Sequence, residues 1–339
     1  MKHEGLNRMH GHVSLSGAWR YAADPKDLGR QQGWMSGLTS NAWDPLDTPG
    51  AGSSSQGGTT WFYCDLSLEA PRKGARVYLR CDGLGCLAQM WLNGNTVATH
   101  SGHPAPFELD ITPHTQPGTN RLVVRTEGPI RTWGAFAVAQ APPAGIQDIF
   151  IQPDVRRSRI TVTVTASGSE RAALAVSATS ASIEGAPGTP IVLPFPDHQP
   201  WTPDSPQRYE LVCSVYTGDQ ETDQWTLPFA MRDVSVQDGR FALNATPLPI
   251  KAVRYHGPQG TFSTLTDRQT QVHRDVDALQ QAGVNTLLVD FSRALPELLD
   301  ACDARGLMIW ADLHAFPLGS KLQRQQVQTC IRAWRSHPA

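Results

Sequence analysis

MWLNGNTVATH, residues 90–100, places Asn93-Gly94 between two apolar runs. The two-residue hairpin turn that matches strand twist needs positive φ at both central positions, and Asn-Gly accepts this at least cost. The segment therefore reads as a β-hairpin. On either side lie strand-like runs at Trp61–Leu68, Arg76–Cys81, Ala88–Leu92 and Arg121–Arg125, and Thr48–Gly58 is a Gly/Ser-rich loop. Many short strands joined by turns predict a jelly-roll β-sandwich over residues 1–153.

Further along, RITVTVTA (Arg159–Ala166) alternates apolar and polar residues with period two, as a half-buried strand does. RYELVCSVY (Arg208–Tyr216) repeats the pattern, and a Pro-rich stretch, Pro187–Pro206, separates the two. Residues 154–233 fit a small immunoglobulin-like sandwich. After Asp233 the pattern changes. Leu248–Val253, Asn285–Val289 and Leu307–Ala311 read as buried strands, and Thr266–Ala282, Arg293–Arg305 and Lys321–Arg335 as helices. Gly283 and Gly306 stand where the first two helices should stop. Strand–helix alternation at this spacing predicts parallel βα units over residues 234–339.

Composition is that of a globular chain: 339 residues, 40% apolar and 18% charged, with a net charge of -2. Nothing in it forms the basic face that a nucleic-acid partner requires. No run reaches the roughly 18 apolar residues of a membrane span, and the first residues lack an apolar core of signal-peptide length. The six cysteines are scattered without zinc or redox spacing and read as buried free thiols in a reducing compartment. The expectation is a cytoplasmic protein with no cofactor, no metal, no membrane and no nucleic-acid partner.

Six segments resemble glycoside hydrolase family two, the β-galactosidase/β-glucuronidase type, in the family's order. They are LSGAWRYAADP (Leu15–Pro25), WLNGNTVATHSGHPAPFELDIT (Trp91–Thr112), PGTNRLVVR (Pro117–Arg125), GIQDIFIQP (Gly145–Pro153), PWTPDSPQRYEL (Pro200–Leu211) and DGRFALNATPLPIKAV (Asp238–Val253). The resemblance implies a jelly-roll sugar-binding domain closed by the Gly145–Pro153 strand. An immunoglobulin-like domain follows, then an incomplete (β/α)8 barrel of about three βα units. In this family the acid/base glutamate follows the fourth barrel strand, after a His-Pro-Ser motif, and the nucleophile lies near the seventh strand. Arg335-Ser336-His337-Pro338-Ala339 resembles the His-Pro ahead of the fourth strand. Both glutamates are therefore expected beyond Ala339, no catalytic residue is assigned, and the chain is expected to be a truncated, pseudoenzyme-like member, inactive alone; the alternatives are a clipped fragment of an active β-glycosidase and an interaction module whose partial barrel another chain completes.

The strand ends carry a second expectation, because barrel active sites sit at the C-terminal ends of the strands. The family's Asn-Arg-His-Glu after the first strand reads Arg254-Tyr255-His256-Gly257 here. At the second strand, Leu288, Phe291, Ser292 and Arg293 replace an Arg and a His-Tyr-Pro. At the third, Ala311, Asp312, Leu313 and His314 replace Asp-Glu-x-Asn. The approach loop AVAQAPPA (Ala137–Ala144) has no acid or aromatic, and Gln147 stands where the family has Arg. The scaffold positions Asn285, Cys302-Asp303 and Gly306-Leu307 match the family.

Candidate carbohydrate contacts are His256, Asp290, Asp312 and His314 at the strand ends, and Trp133 in the TWGAF stretch, since aromatic rings stack on pyranose faces. Trp61, Trp91 and Trp201 read as core. A metal held by His256, His314 and an Asp, or an acid pair of Asp290 and Asp312, competes with plain water-facing loop polarity, which is the commoner case. The candidate partners are a β-glycoside, and a second chain (a copy or another protein) at the open edge of the parallel strands.

Overall fold

Alternate residues of Thr59–Leu68 point to opposite faces, and both faces are apolar, so that strand must be covered twice. A computed structural model shows how. It describes residues 13–15, 17, 19–36, 43–46, 58–70, 73–101, 106–128, 130, 133–177, 179–258, 265–290, 296–313 and 321–338. The first ten strands are β1 (Val13–Ser14), β2 (Trp19–Asp24), β3 (Asp44–Leu46), β4 (Thr59–Leu68), β5 (Arg76–Cys81), β6 (Leu87–Leu92), β7 (Asn95–Ser101), β8 (Phe107–Asp110), β9 (Gly118–Glu127) and β10 (Phe136–Ala141). They build a six-stranded sheet, β3-β2-β4-β9-β6-β7, and a four-stranded sheet, β1-β10-β5-β8. Phe62, Cys64, Leu66 and Leu68 of β4 enter the core between the two sheets. Trp61 and Tyr63, on the other face, join Trp34, Trp43 and Trp91 in a second aromatic cluster. The β6–β7 hairpin has the expected turn, with Asn93 at φ 51° and Gly94 at φ 81°.

The next strands are β11 (Gly145–Asp154), β12 (Arg159–Ser167), β13 (Arg171–Val176), β14 (Ser182–Gly185), β15 (Pro190–Pro194), β16 (Tyr209–Thr217) and β17 (Gln220–Phe229). They form the sheets β11-β12-β15 and β14-β13-β16-β17, with one apolar core between them. Two expectations need correction. The Gly145–Pro153 strand does not close the first sandwich; it pairs with β12 from Gly145↔Ser167 to Asp154↔Arg159, and Ile146, Ile149 and Ile151 enter the second core. The Pro-rich separator also contains a strand. β15 pairs on one side only, with β12, so Pro190 and Pro194 sit on an edge where a missing N–H breaks no ladder.

A small sheet, β18 (Val234–Gln237), β19 (Arg240–Leu243) and β20 (Thr246–Pro247), leads into the parallel segment. That segment runs β21 (Ala252–Tyr255), α1 (Leu265–Gln281), β22 (Thr286–Asp290), α2 (Pro296–Arg305), β23 (Met308–Asp312) and α3 (Lys321–Trp334). The strands pair in parallel in the order β21-β22-β23. Tyr255, Leu287, Val289 and Ile309 pack on one face against Val272 and Val276 of α1 and Leu298 and Cys302 of α2. The first strand was expected at Leu248–Val253. Leu248 and Ile250 instead pack with Trp201, Leu243 and Met308 beneath the sheet, so an apolar run that looked like a strand is a plug.

Gly306 joins this segment to the middle sandwich. It follows α2 at φ 76°, and a Cβ there would lie 2.2 Å from the Pro203 carbonyl oxygen. The left-handed helix stop and the close approach both exclude a side chain. Beside it Trp201 Nε1 donates to the Asp303 carbonyl at 3.2 Å.

Candidate functional site

Period two in the parallel strands puts Arg254, Leu288, Asp290, Trp310 and Asp312 on the face opposite the helices. Arg254, Leu288 and Trp310 stand in one row, and Asp290 is in register with Asp312. Arg254 Nη2 reaches Asp312 Oδ2 at 3.7 Å. Trp310 is 50% exposed and meets Phe241 edge-on at 5.5 Å between centroids. His256 is exposed directly after β21, while Asp290 and Asp312 are half-buried. The structure thus brings Asp290 and Asp312 to one sheet face and adds Arg254, which sequence reasoning had not assigned to the site. Its pairing with Asp312 depends on a reach across β22 that only the parallel register creates. His314, Phe291, Ser292 and Arg293 lie outside the described residues.

Trp133 is a correction. It is 2% exposed, with its ring 5.6 Å from Trp19, 4.9 Å from Phe62 and 5.3 Å from Phe136. No ring face is open to a sugar. Gly134 follows it and packs so closely on the Asp82–Gly83 backbone that a Cβ would come within 2.6 Å of Gly83 N. Trp61, Trp91 and Trp201 are buried, as expected of core residues.

Trp133 also marks a junction. Its carbonyl accepts from Arg268 Nη1 of α1 at 2.8 Å, and Arg268 Nη2 lies 2.7 Å from Glu297 Oε1 of α2. Glu297 is 7% exposed. Facing them from the first sandwich are Asp82 and Arg80, the latter paired with Glu108 at 2.9 Å. Burial, then the neighbouring Glu297, push the Asp82 carboxyl up to about 7; Asp300 adds to this, while Arg80 and Arg268 oppose it. Three carboxylates crowd two guanidinium groups, so protonating one relieves the excess charge. The sequence carries no signal for this cluster, because its members come from β5, the turn after it, α1 and α2.

Asp300, Asp303 and His337 form the group of three metal-type ligands found among the described residues, with their ligand atoms all within 4.8 Å of one another. His337 Nδ1 lies 2.6 Å from Asp303 Oδ2, in a buried hydrogen bond. Ligand atoms around one ion at ~2.1 Å stand farther apart than this. Arg232 donates to the His337 carbonyl at 3.3 Å, adding a cation at the same place. The trio reads as the latch between α2 and the turn after α3. Cys302-Asp303 and His337-Pro338 were visible in the sequence as family-like scaffold, but not as partners.

All six cysteines are free and buried. Burial pushes the Cys64, Cys86, Cys213 and Cys330 thiols up to about 12, and Cys81 and Cys302 well above the usual range. None is a nucleophile at neutral pH. No helix among the described residues is long and apolar enough to cross a membrane.

Two β-sandwiches followed by a short parallel βα region make a multidomain, mainly β fold. Residues 53–154 match the glycosyl hydrolase 2 galactose-binding domain-like family, and residues 144–232 match glycosyl hydrolases family 2; the two matches overlap on β11. The chain belongs to glycoside hydrolase family 2, with that family's N-terminal sugar-binding and immunoglobulin-like domains, and is homologous to β-galactosidases and β-glucuronidases. A β-galactosidase of Thermoanaerobacter pseudethanolicus is 22% identical over 82% of this chain and 43% of its own length. For a β-glucuronidase of Mus musculus the figures are 24%, 87% and 56%. Among solved structures, a β-glucuronidase from Ruminococcus gnavus in complex with D-glucuronic acid aligns with a TM-score of 0.82 at 18% identity. It covers all of this chain and 68% of the other. A family 2 member from Bacteroides cellulosilyticus gives 0.81 at 21%, over 51% of its length. The chain thus spans about half the length of the curated relatives it matches.

Proposed function

We propose that this polypeptide is a carbohydrate-recognising family 2 scaffold that does not hydrolyse glycosides by itself. The observation that carries the reading is the row Arg254–Leu288–Trp310 on the open face of the parallel strands, one step before the strand-end pair Asp290 and Asp312. Two of its three side chains are apolar where an oxocarbenium-like transition state needs positioned charge. Among the described residues the carboxylates on that face are Asp290 and Asp312, and Arg254 reaches Asp312. Sugar recognition is supported by the galactose-binding domain-like match over residues 53–154 and by the relatives' printed activities. The proposed functional blocks are residues 1–144, 145–233 and 234–339, with β11 counted in the second because its isoleucines enter that core. The buried free thiols support a reducing, cytoplasmic location, which cell fractionation checks.

The test is turnover of chromogenic β-galactosides and β-glucuronides by the purified chain. The expected rate is that of buffer. Turnover abolished by Asp312→Asn would overturn the reading and make the Asp290/Asp312 pair catalytic.

A second reading rests on the parallel sheet. β23 has no hydrogen-bonded neighbour beyond it among the described residues, and Trp310 beside that edge is half exposed. A further strand, from this or another chain, would cover it. Light scattering decides whether copies associate there; a monodisperse monomer across the concentration range removes self-pairing.

A further inference from the structure

The middle sandwich carries a groove that none of the site residues above explains. On the outer face of β14-β13-β16-β17, Glu184, Ala173, Ser214 and Gln224 form one cross-strand row. Ser182, Ala175 and Val212 form the next, and Arg171 and Tyr216 close one end. The small side chains in the middle leave a trough of about 380 Å³ between taller rims. This volume lies within the range of small-molecule sites, roughly 300–1,000 Å³.

A solvent face of a sheet gains stability from long or β-branched cross-strand pairs, and alanine is a poor strand former. Two alanines on the water side of β13, a strand paired on both edges, forgo that gain. What they provide is room. The polar groups around the room hold each other in place. Gln224 Nε2 donates to Ser214 Oγ at 2.8 Å, and the Tyr216 hydroxyl donates to Glu221 Oε2 at 3.2 Å. Arg171 lies 4.1 Å over the Tyr216 ring and pairs with Glu184 at 2.5 Å. Such mutual support lowers the entropy lost when a ligand is gripped.

We propose that this groove binds a neutral saccharide chain. Its floor carries the methyl groups of Ala173, Ala175 and Val212 with the Ser214 hydroxyl among them, and its rim is hydroxyl, amide and carboxylate, which matches a pyranose with apolar C–H faces and hydroxyls around the edge. Glu184 and Glu221 against Arg171 leave the lining net negative, which disfavours uronates and phosphates. A peptide added as a strand is excluded within the groove, because the backbone groups of β13 and β16 are paired on both sides. The site lies on the middle sandwich and does not depend on the first sandwich holding sugar.

The experiment uses the whole chain with cellotetraose and galactotetraose as neutral probes, trigalacturonate as the anionic control and tetralysine as the cationic one. Calorimetry gives affinity, and hydrogen exchange gives location. The expected result is binding of a neutral tetrasaccharide at ~1 mM or tighter, with exchange slowed in β13 and β16. Ala175→Phe fills the trough from an exposed position and should weaken binding by about tenfold or more at an unchanged unfolding temperature. Tyr216→Ala, a second variant, should weaken binding similarly. The proposal is overturned if neither neutral probe binds, if binding survives Ala175→Phe, or if tetralysine alone binds. Protection confined to the first sandwich also overturns it, while supporting sugar recognition there.

Discussion

Asp82→Asn tests the charge cluster that joins the first sandwich to α1 and α2. The carboxyl rises from its ordinary 3.8 to about 7 through burial and the neighbouring Glu297. A raised carboxyl is most stabilising while neutral. The contribution is therefore full below pH ~4, is lost as pH climbs to about 7, and stays lost above that. The whole rise corresponds to ~4 kcal/mol at about 1.4 kcal/mol per pH unit. Asp82 is half-buried, and water screens part of this, so about 2 kcal/mol is the working figure. Asparagine keeps the shape and cannot ionise. The variant should match the wild type at pH ~4 and below, pull ahead from there, and exceed it near pH 8 by ~2 kcal/mol, a few degrees in unfolding temperature. Thermal unfolding followed by intrinsic fluorescence across that pH range is the assay. Parallel wild-type and variant curves, or a variant less stable at the alkaline end, would refute the account of excess negative charge among Asp82, Glu297 and Asp300.

Three further predictions rest on separate features. Gly306→Ala should cost about 2–4 kcal/mol, from left-handed strain and the clash with the Pro203 carbonyl, read from denaturant midpoints; a loss under ~0.5 kcal/mol would mean the chain shifts freely there. His337→Ala leaves the Asp303 carboxylate buried without its 2.6 Å partner and should cost ~3 kcal/mol, whereas a neutral outcome would show that Arg232 suffices. Thiol titration at pH about 8 should find no fast-reacting cysteine in the native chain, since a thiol near 12 is ionised on the order of one part in ten thousand. All six should react after unfolding, and one fast native thiol would show local opening around that cysteine.

Local chemistry wrote much of the architecture into the chain. The Asn93-Gly94 turn, the alternation in Arg159–Ala166 and the glycines closing α1 and α2 act through neighbours in sequence, so each is legible in the sequence alone. Where partner choice decides, the reading slipped. β11 carries a strand pattern that either sandwich could use, and its isoleucines settled in the second core because β12 offers a full-length partner. Leu248 and Ile250 were apolar enough for a strand but were claimed by Trp201 and Met308. Trp133 looked exposed among Thr, Gly and Ala, yet Trp19, Phe62 and Phe136 surround it.

The candidate site divides in the same way. Asp290 and Asp312 could be placed at strand ends from period two alone, since a strand's own geometry sets which side chains share a face. Arg254 over Asp312, the Arg268–Glu297–Asp82 junction and the His337–Asp303 latch join residues from different elements. Their energies depend on distance and burial, which no stretch of sequence contains. The six motifs and their order therefore determined the family and the order of the folds. Which strands pair, which charges meet and which tryptophans water can reach were decided only when long-range packing brought those groups within a few ångströms.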